Sequence, residues 1–427
     1  MNFNMLQIVS EKRQKIVFAE DGENINDEVK KFNLLDNDKR YSKEKGECID
    51  FVGFVIDDSK MLAVFPKHFF QNTDRAKITL AEREDYIKLL FNVIRKYNID
   101  CQSNRNASKY FGSENNFESD YPFEAFFRIY EYYQKYGLYK EDEEKLVPYV
   151  NGKISWKKTI QKSNIIVSNS NLIFVPIYSK TKKYNEVFIS ECMRFVINST
   201  IEKFRYFIDI SPISGKSYKI DFIDNKEYVL RKLYQYKMSI FKDHQKKLVQ
   251  SLIDFFEQYN SIKTGGAIHF KINYFNLIWE RMVNEYLNNY FIGVDTEKHR
   301  LLFNEKVNIN KMNFKKERFD IDKSNNEFYI EPDHYYSNEN KIYLFDSKYY
   351  KQIDELNYKQ LAYTMLLGNS KSRSDKEIYS ALVLPGENDT ELHLDLKKDY
   401  CQDNLGCNQI IQQFLSVKLL MRNYLNK

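Results

Sequence analysis

Between Tyr329 and Tyr350 two β-prone runs flank a polar turn, and this segment constrains the chain more than any other. The first run, Tyr329-Ile330-Glu331-Pro332-Asp333-His334-Tyr335-Tyr336, passes through Ser337 to Lys341 into Ile342-Tyr343-Leu344-Phe345-Asp346-Ser347-Lys348-Tyr349-Tyr350. Read as a hairpin, it places Asp333 at the end of one strand and Asp346 and Lys348 on the next. Residues two apart on a strand share a face, so Asp346 and Lys348 point to one place. Tyr343 to Phe345 give the apolar alternation of a partly buried strand. Taken singly, Asp333 and Asp346 fit a turn residue and a strand-end surface charge equally well.

Converging carboxylates suit a hard divalent cation, which takes oxygen ligands, polarises a phosphate and lowers the pKa of a water. On this reading Asp333 and Asp346 ligate Mg²⁺, with the Ser347 carbonyl oxygen as a third ligand. Lys348 orients the attacking water or stabilises the charge that develops on the phosphate. None of the six histidines forms an HxxH or HExxH pattern, so a zinc hydrolase is not expected. His334 points to the opposite face of its strand, as a core or surface histidine. No Ser or Cys sits in a nucleophile elbow, so covalent catalysis is not expected either.

Pro332-Asp333, twelve intervening residues and Asp346-Ser347-Lys348 resemble the motif of the PD-(D/E)xK nuclease superfamily. Upstream, Phe275-Asn276-Leu277-Ile278-Trp279-Glu280-Arg281-Met282-Val283 looks like the first helix of that fold. The resemblance implies that Glu280 adds a ligand through the metal or its water, with Glu285 as the nearby alternative. Downstream, Tyr358-Lys359-Gln360-Leu361-Ala362-Tyr363 looks like the helix after the motif strands, which implies Gln360 at the rim of the site. Helix with Glu, strand with Asp, strand with Asp-x-Lys, helix with Gln is the core order of the superfamily.

Within the superfamily the chain is similar to the LlaJI family of restriction endonuclease subunits, themselves similar to McrC. The similarity rests on Phe51-Val52-Gly53 with Phe65-Pro66-Lys67-His68, on Asn151-Gly152 with Trp156-Lys157-Lys158-Thr159-Ile160, and on Trp279-Glu280 with Phe345 to Tyr350. It implies a cleavage subunit acting on double-stranded DNA in defence against foreign DNA. It also implies an McrB-like GTP-hydrolysing AAA+ partner and a protective DNA methyltransferase. A stand-alone type II enzyme and a non-catalytic DNA-binding or regulatory subunit are the competing expectations. No nucleotide site is expected in this chain: Gly215-Lys216-Ser217 follows Ile210, where a P-loop needs its first glycine.

Composition bounds the rest. At 427 residues the chain predicts two or three domains. With 43% hydrophobic and 16% aromatic residues but only 13 Gly and 7 Pro, it is globular rather than disordered. Sixty-five Lys and Arg against 60 Asp and Glu leave a net charge of +5, which permits nucleic-acid binding without demanding it. Five scattered cysteines without CxxC suggest neither disulfides nor structural zinc, and with no leader or membrane segment the expected location is the cytoplasm.

Along the chain, Phe51–Ile56 and Met61–Pro66 predict a hairpin, and Leu80–Tyr97 an amphipathic helix. A second helix is expected around Pro122–Tyr136, and β-prone runs at Asn164–Ser168 and Asn171–Tyr178. Trp156 to Ile160 followed by that hairpin has the outline of a winged helix. Its Lys153, Lys157, Lys158 and Lys162 set a helix against DNA or a partner, or form the solvated face of a helix whose Trp packs inward. Long helices are expected at Tyr184–Phe207 and Lys226–Gln258, the latter with a stripe of Leu230, Tyr234, Met238, Phe241, Leu248, Leu252 and Phe255. With a boundary at Gly265-Gly266, the expected division is 1–150, an α+β region for partner or DNA binding; 151–261, the winged-helix-like segment and connecting helices; and 262–427, the nuclease domain. The expected class is α/β, a mixed sheet flanked by helices after mainly helical N-terminal modules.

Overall fold

The computed structural model describes residues 15–57, 60–103, 117–119, 121–148, 153–169, 171–208, 210–215, 221–259, 268–325, 327–368, 370, 376–387, 389–400 and 409–426. The expected boundary at Gly265-Gly266, the Asn151-Gly152 pair and the Lys216-Ser217 dipeptide lie outside them. The chain is mixed α/β, and it groups into two compact units, one formed by Met1–Ser119 with Thr264–Lys427, the other by Asp120–Lys263.

The first unit opens with β1 (Lys15–Glu20), the ribbon β2 (Lys39–Ser42) and β3 (Gly46–Ile49), and the expected hairpin β4 (Val52–Asp57) and β5 (Lys60–Phe65). β1 lies parallel to β5. Met61 to Phe65 and Val52 to Val55 are buried without alternation, as in a strand covered on both faces. Helix α1 (Leu80–Ser103) and the short β6 (Phe117–Ser119) complete this part.

The second unit contains α2 (Phe123–Tyr136), β7 (Lys140–Pro148), β8 (Lys153–Ile154), α3 (Trp156–Lys162), the hairpin β9 (Asn164–Ser168) and β10 (Asn171–Val175), and β11 (Tyr178–Glu186), which pairs with β7 and β8. Helices α4 (Phe188–Lys203), α5 (Lys226–Ser239) and α6 (Asp243–Gln258) follow. Helix followed by hairpin is present at α3, β9 and β10, but Trp156 does not pack inward. It is 56% exposed, and Thr159 is the residue this helix buries.

Two helix expectations need correction. Residues 178–186 continue as strand β11, so α4 starts at Phe188 rather than at Tyr184. The expected helix over Lys226–Gln258 is broken at Ile240–Lys242, where Ile240 and Lys242 adopt extended backbone. The break resets the helical phase. Val229, Leu233 and Ile240 are buried, whereas Tyr234, Met238 and Phe241 of the expected stripe are exposed; Leu248, Leu252 and Phe255 on α6 are buried as expected.

The chain then returns to the first unit. β12 (Ile268–Ile272) inserts between β4 and β6, giving a five-stranded sheet of order β1-β5-β4-β12-β6. Gly53 makes this possible: at φ +142° a side chain is strained, and a Cβ there would stand 2.3 Å from the Phe270 carbonyl oxygen. All five residues of β12 are buried, including Lys271, whose ammonium pairs with the equally buried Asp38. Removing either partner would strand the other charge, typically a loss of about 3–5 kcal/mol.

Helix α7 (Phe275–Tyr290) follows, then the ribbons β13 (Phe291–Asp295) with β14 (Arg300–Phe303) and β15 (Phe319–Asp320) with β16 (Tyr329–Ile330). The second five-stranded sheet contains β17 (His334–Ser337), β18 (Lys341–Ser347), β19 (Glu377–Pro385), β20 (Thr390–Asp395) and β21 (Gln409–Leu415), in the order β17-β18-β19-β21-β20. It is mixed: β18, β19 and β21 run parallel, and the two edge strands run antiparallel to their neighbours. Helix α8 (Tyr358–Gly368) makes the crossover from β18 to β19, and α9 (Val417–Leu425) packs on α7 and α1. Ile342 and Leu344 meet Tyr363 and Leu367 of α8, while Tyr343 and Phe345, one step along, make edge-to-face contacts with Phe291. This is the expected α/β class with a C-terminal mixed sheet.

Candidate active site

The hairpin β17–β18 forms in the expected register. His334 faces Phe345 across the ladder, which sets Asp333, the residue before β17, beside Asp346. An Asp333 carboxylate oxygen accepts the Ser347 backbone N–H at 3.1 Å, tying the strand that ends with Asp346 and Ser347 to the aspartate opposite. Asp346 is fully buried and Asp333 nearly so. Lys348, one residue past β18, turns its ammonium onto the Asp346 carboxylate, and its backbone N–H donates to the Val383 carbonyl at 2.9 Å.

Glu280 reaches the same place from α7, which packs against β18. The link is Lys316, whose ammonium lies 3.5 Å from Glu280, 3.8 Å from Glu331 and 4.0 Å from Asp333. Glu285, the sequence alternative to Glu280, pairs instead with Arg281, one helical turn back. From α8, Lys359 approaches the second oxygen of Asp346 at 3.3 Å. The structure thus gathers Asp333, Asp346, Ser347, Lys348 and Glu280, and adds Glu331, Lys316 and Lys359.

Gln360, the residue after Lys359, makes its contacts with the strands that carry the site. It is fully buried on α8, and its amide donates to the Leu344 carbonyl and the Ser380 hydroxyl, each at 2.8 Å, fastening the helix to β18 and β19. His334 is also fully buried, with Nε2 2.6 Å from the Ser347 hydroxyl, and burial depresses its pKa to about 3, so the ring is neutral.

Electrostatics separates the two aspartates. Burial, reinforced by the charges of Asp346 and Glu280, pushes the Asp333 carboxyl up to about 8. Burial acts against charge on Asp346 too, but the Lys348 ammonium, the hydrogen bond from Asp333 and Lys359 hold it below the usual carboxylate range. Burial raises Glu280 more than Lys316 lowers it. Lys316 and Lys359 are both raised: burial opposes their charge, and the carboxylates around them outweigh it. The result is a buried acidic pair that shares a proton, with lysines against it on several sides.

Among the described residues no three His, Cys, Asp or Glu side chains stand as a ready cage for a metal ion. The donor chemistry nevertheless fits a hard cation. Every acidic donor is a carboxylate oxygen, and burial together with the negative charges of Asp346 and Glu280 disfavours charge on Asp333, which a bound cation would offset.

A mixed sheet crossed over by α8, with acidic residues meeting where β17 begins and β18 ends, is a nuclease-type α/β fold. The chain belongs to the LlaJI restriction endonuclease family, whose model matches residues 51–418, and membership places it among nucleases. No curated protein matches the sequence. Among solved structures the chain is similar to one described as the refined half-complex from a tetradecameric assembly of Thermococcus gammatolerans McrB AAA+ hexamers with bound McrC, at 11% identity over 96% of this chain and 98% of that one, with a TM-score of 0.38. Among the described residues no helix is long and apolar enough to cross a membrane.

Proposed function

We propose that this chain is the cleavage subunit of a restriction system and hydrolyses phosphodiesters of double-stranded DNA by the chemistry of the PD-(D/E)xK superfamily. The observation that carries the reading is Asp333 set beside Asp346 with the Lys348 ammonium on the same carboxylate. Asp333, Asp346, the Ser347 carbonyl and Glu280 would hold Mg²⁺, which when bound supplies a polarised phosphate and a water of lowered pKa. Asp333 gives up its proton as it takes up a ligand role. Lys348, paired with Asp346, faces the phosphate charge that grows during attack. Gln360 acts through the strand rather than at the phosphate: it holds Leu344, two residues before Asp346.

The LlaJI and McrC resemblance supports an McrB-like AAA+ GTPase as partner and a DNA methyltransferase as guardian of host DNA, with action in the cytoplasm. In the sequence, Ile210 stands where a P-loop needs glycine, which agrees with nucleotide hydrolysis by another subunit. Cutting both strands takes two such sites, supplied by dimerisation or by two complexes meeting. The division into 1–150, 151–261 and 262–427 assigns partner or DNA contact to the first two segments and hydrolysis to the third.

The test is cleavage of unmodified plasmid with Mg²⁺, with and without the neighbouring GTPase and GTP. Lys348→Ala should lower the rate by about a hundredfold to a thousandfold, the range for losing one group that stabilises transition-state charge. Asp346→Ala should abolish both cleavage and calorimetric Mn²⁺ binding. Equal cutting by wild type and both variants would overturn the assignment. Cutting at a defined site without the GTPase would select a stand-alone enzyme.

A further inference from the structure

The Phe65-Pro66-Lys67-His68 segment lies far from the carboxylates in sequence and has no role in the chemistry above. In the structure it grips the residue that follows Lys348. The Lys67 backbone N–H donates to the Tyr349 hydroxyl at 2.9 Å, and its ammonium donates to the Tyr349 carbonyl at 3.2 Å. The same ammonium lies 4.4 Å from the centre of the Tyr349 ring. Tyr349 is therefore held at hydroxyl, ring face and backbone by a single lysine.

That lysine is fixed in turn. Its ammonium lies 3.6 Å from Asp21, whose backbone N–H donates to the Phe65 carbonyl and so joins the ends of β1 and β5. His68, next along, holds a left-handed backbone at φ 62°, a conformation that persists where surrounding structure enforces it. The Tyr349 ring also packs against Phe275, the first residue of α7, which carries Glu280.

A buried lysine–carboxylate pair is a poor way to gain stability, because desolvation offsets most of the attraction, and an apolar pair of similar volume serves as well. Burial here does depress Lys67 and raise Asp21. What the pair supplies that apolar residues do not is direction: the Lys67 ammonium, aimed by Asp21, meets both the Tyr349 backbone carbonyl and the Tyr349 ring face.

Resting on the nuclease reading above, we infer that Lys67 and Asp21 form a clamp on Tyr349 that fixes the chain just after β18 and so sets the Lys348 ammonium against Asp346. Lys67 is a positioning residue, and the N-terminal sheet is a working part of the cleavage site. Misplacing a reacting group by about 1 Å can lower a rate about a hundredfold.

The test uses the full chain with its GTPase partner, measuring kcat and KM for plasmid DNA alongside the thermal midpoint. Lys67→Met should lower kcat by about tenfold to a hundredfold while KM for DNA stays within about twofold. Lys67→Arg should recover part of the loss. Tyr349→Phe should lose less than Lys67→Met, and the double variant should be no worse than Lys67→Met alone, because both break one unit. Lys67→Met cutting at the wild-type rate overturns the clamp. So does a loss accounted for by the unfolded fraction, or one that falls on KM. A wild-type chain that never cuts fails the nuclease reading itself and the clamp with it, whereas wild-type cutting matched by Lys67→Met fails the clamp alone.

Discussion

The meeting of Asp333, Asp346 and Lys348 in space was legible because a strand's two-residue period and a hairpin's register are local rules. Lys316 and Lys359 were not. In a chain with 65 basic residues a lysine carries no signal of its own, and Lys316 sits in an irregular stretch whose path is set by tertiary contacts. The sharing of charge between the aspartates was equally hidden, since burial dominates it. It has a consequence for the protein held in EDTA. Asp333 titrates in the folded chain at about 8, far above an unfolded aspartate, so folding favours its protonated form. That contribution is complete below about pH 4, where the unfolded group is protonated too, and is lost as pH rises through about 8. The thermal midpoint of the metal-free protein should therefore fall between pH 6 and 9, and Asp333→Asn should flatten the fall. An unchanged slope in Asp333→Asn would assign the pH dependence to another group.

Elements closed by short turns were the ones the sequence specified well: β4–β5, β9–β10 and β17–β18 all pair as expected from a turn between β-prone runs. β12 is the contrary case. Its alternation of Ile268, Phe270 and Ile272 with His269 and Lys271 suits a half-exposed strand, yet His269 meets the Asn33 carbonyl at 3.0 Å and Lys271 meets Asp38, so both faces are buried by distant partners. The helices over 226–258 show a different limit. Leu230-Tyr234-Met238-Phe241 and Val229-Leu233-Tyr236-Ile240 both recur at the three-to-four-residue steps of a helix face, and only packing chooses between them. Leu233→Ala, at a fully buried position, should destabilise by about 2–5 kcal/mol, as large-to-small core changes do. Met238→Ala, 85% exposed, should change stability by no more than about 0.5 kcal/mol. Denaturant titration of the two variants decides it, and equal losses would restore the longer, unbroken helix.

At the scale of the whole molecule, residues 120–263 are inserted into a unit whose two parts complete one sheet. β12 is paired on one side with β4 and on the other with β6, and Phe270 stands opposite Ser119, the last residue before the insertion. Neighbouring strands lie about 4.8 Å apart, so the chain leaving Ser119 and the chain entering Ile268 are separated by a gap that about eight flexible residues span easily. Replacing 120–263 by such a linker should leave a cooperative thermal transition and Mn²⁺ binding that Asp346→Ala removes. It should also abolish cleavage that depends on the GTPase, if the basic surface around Trp156 contacts DNA or the partner. A fragment of residues 262–427 should behave differently. It keeps the Asp333 and Asp346 hairpin but leaves β12 without β4 and β6, Lys271 without Asp38 and Tyr349 without Lys67. A buried lysine without its carboxylate and a central strand without neighbours leave that fragment little reason to fold. Calorimetric scans of the two proteins distinguish the cases: a sharp transition in 262–427 alone would show that the N-terminal sheet is dispensable for folding the catalytic fold, and its absence there, with a transition in the linker variant, would show that the sheet is part of it.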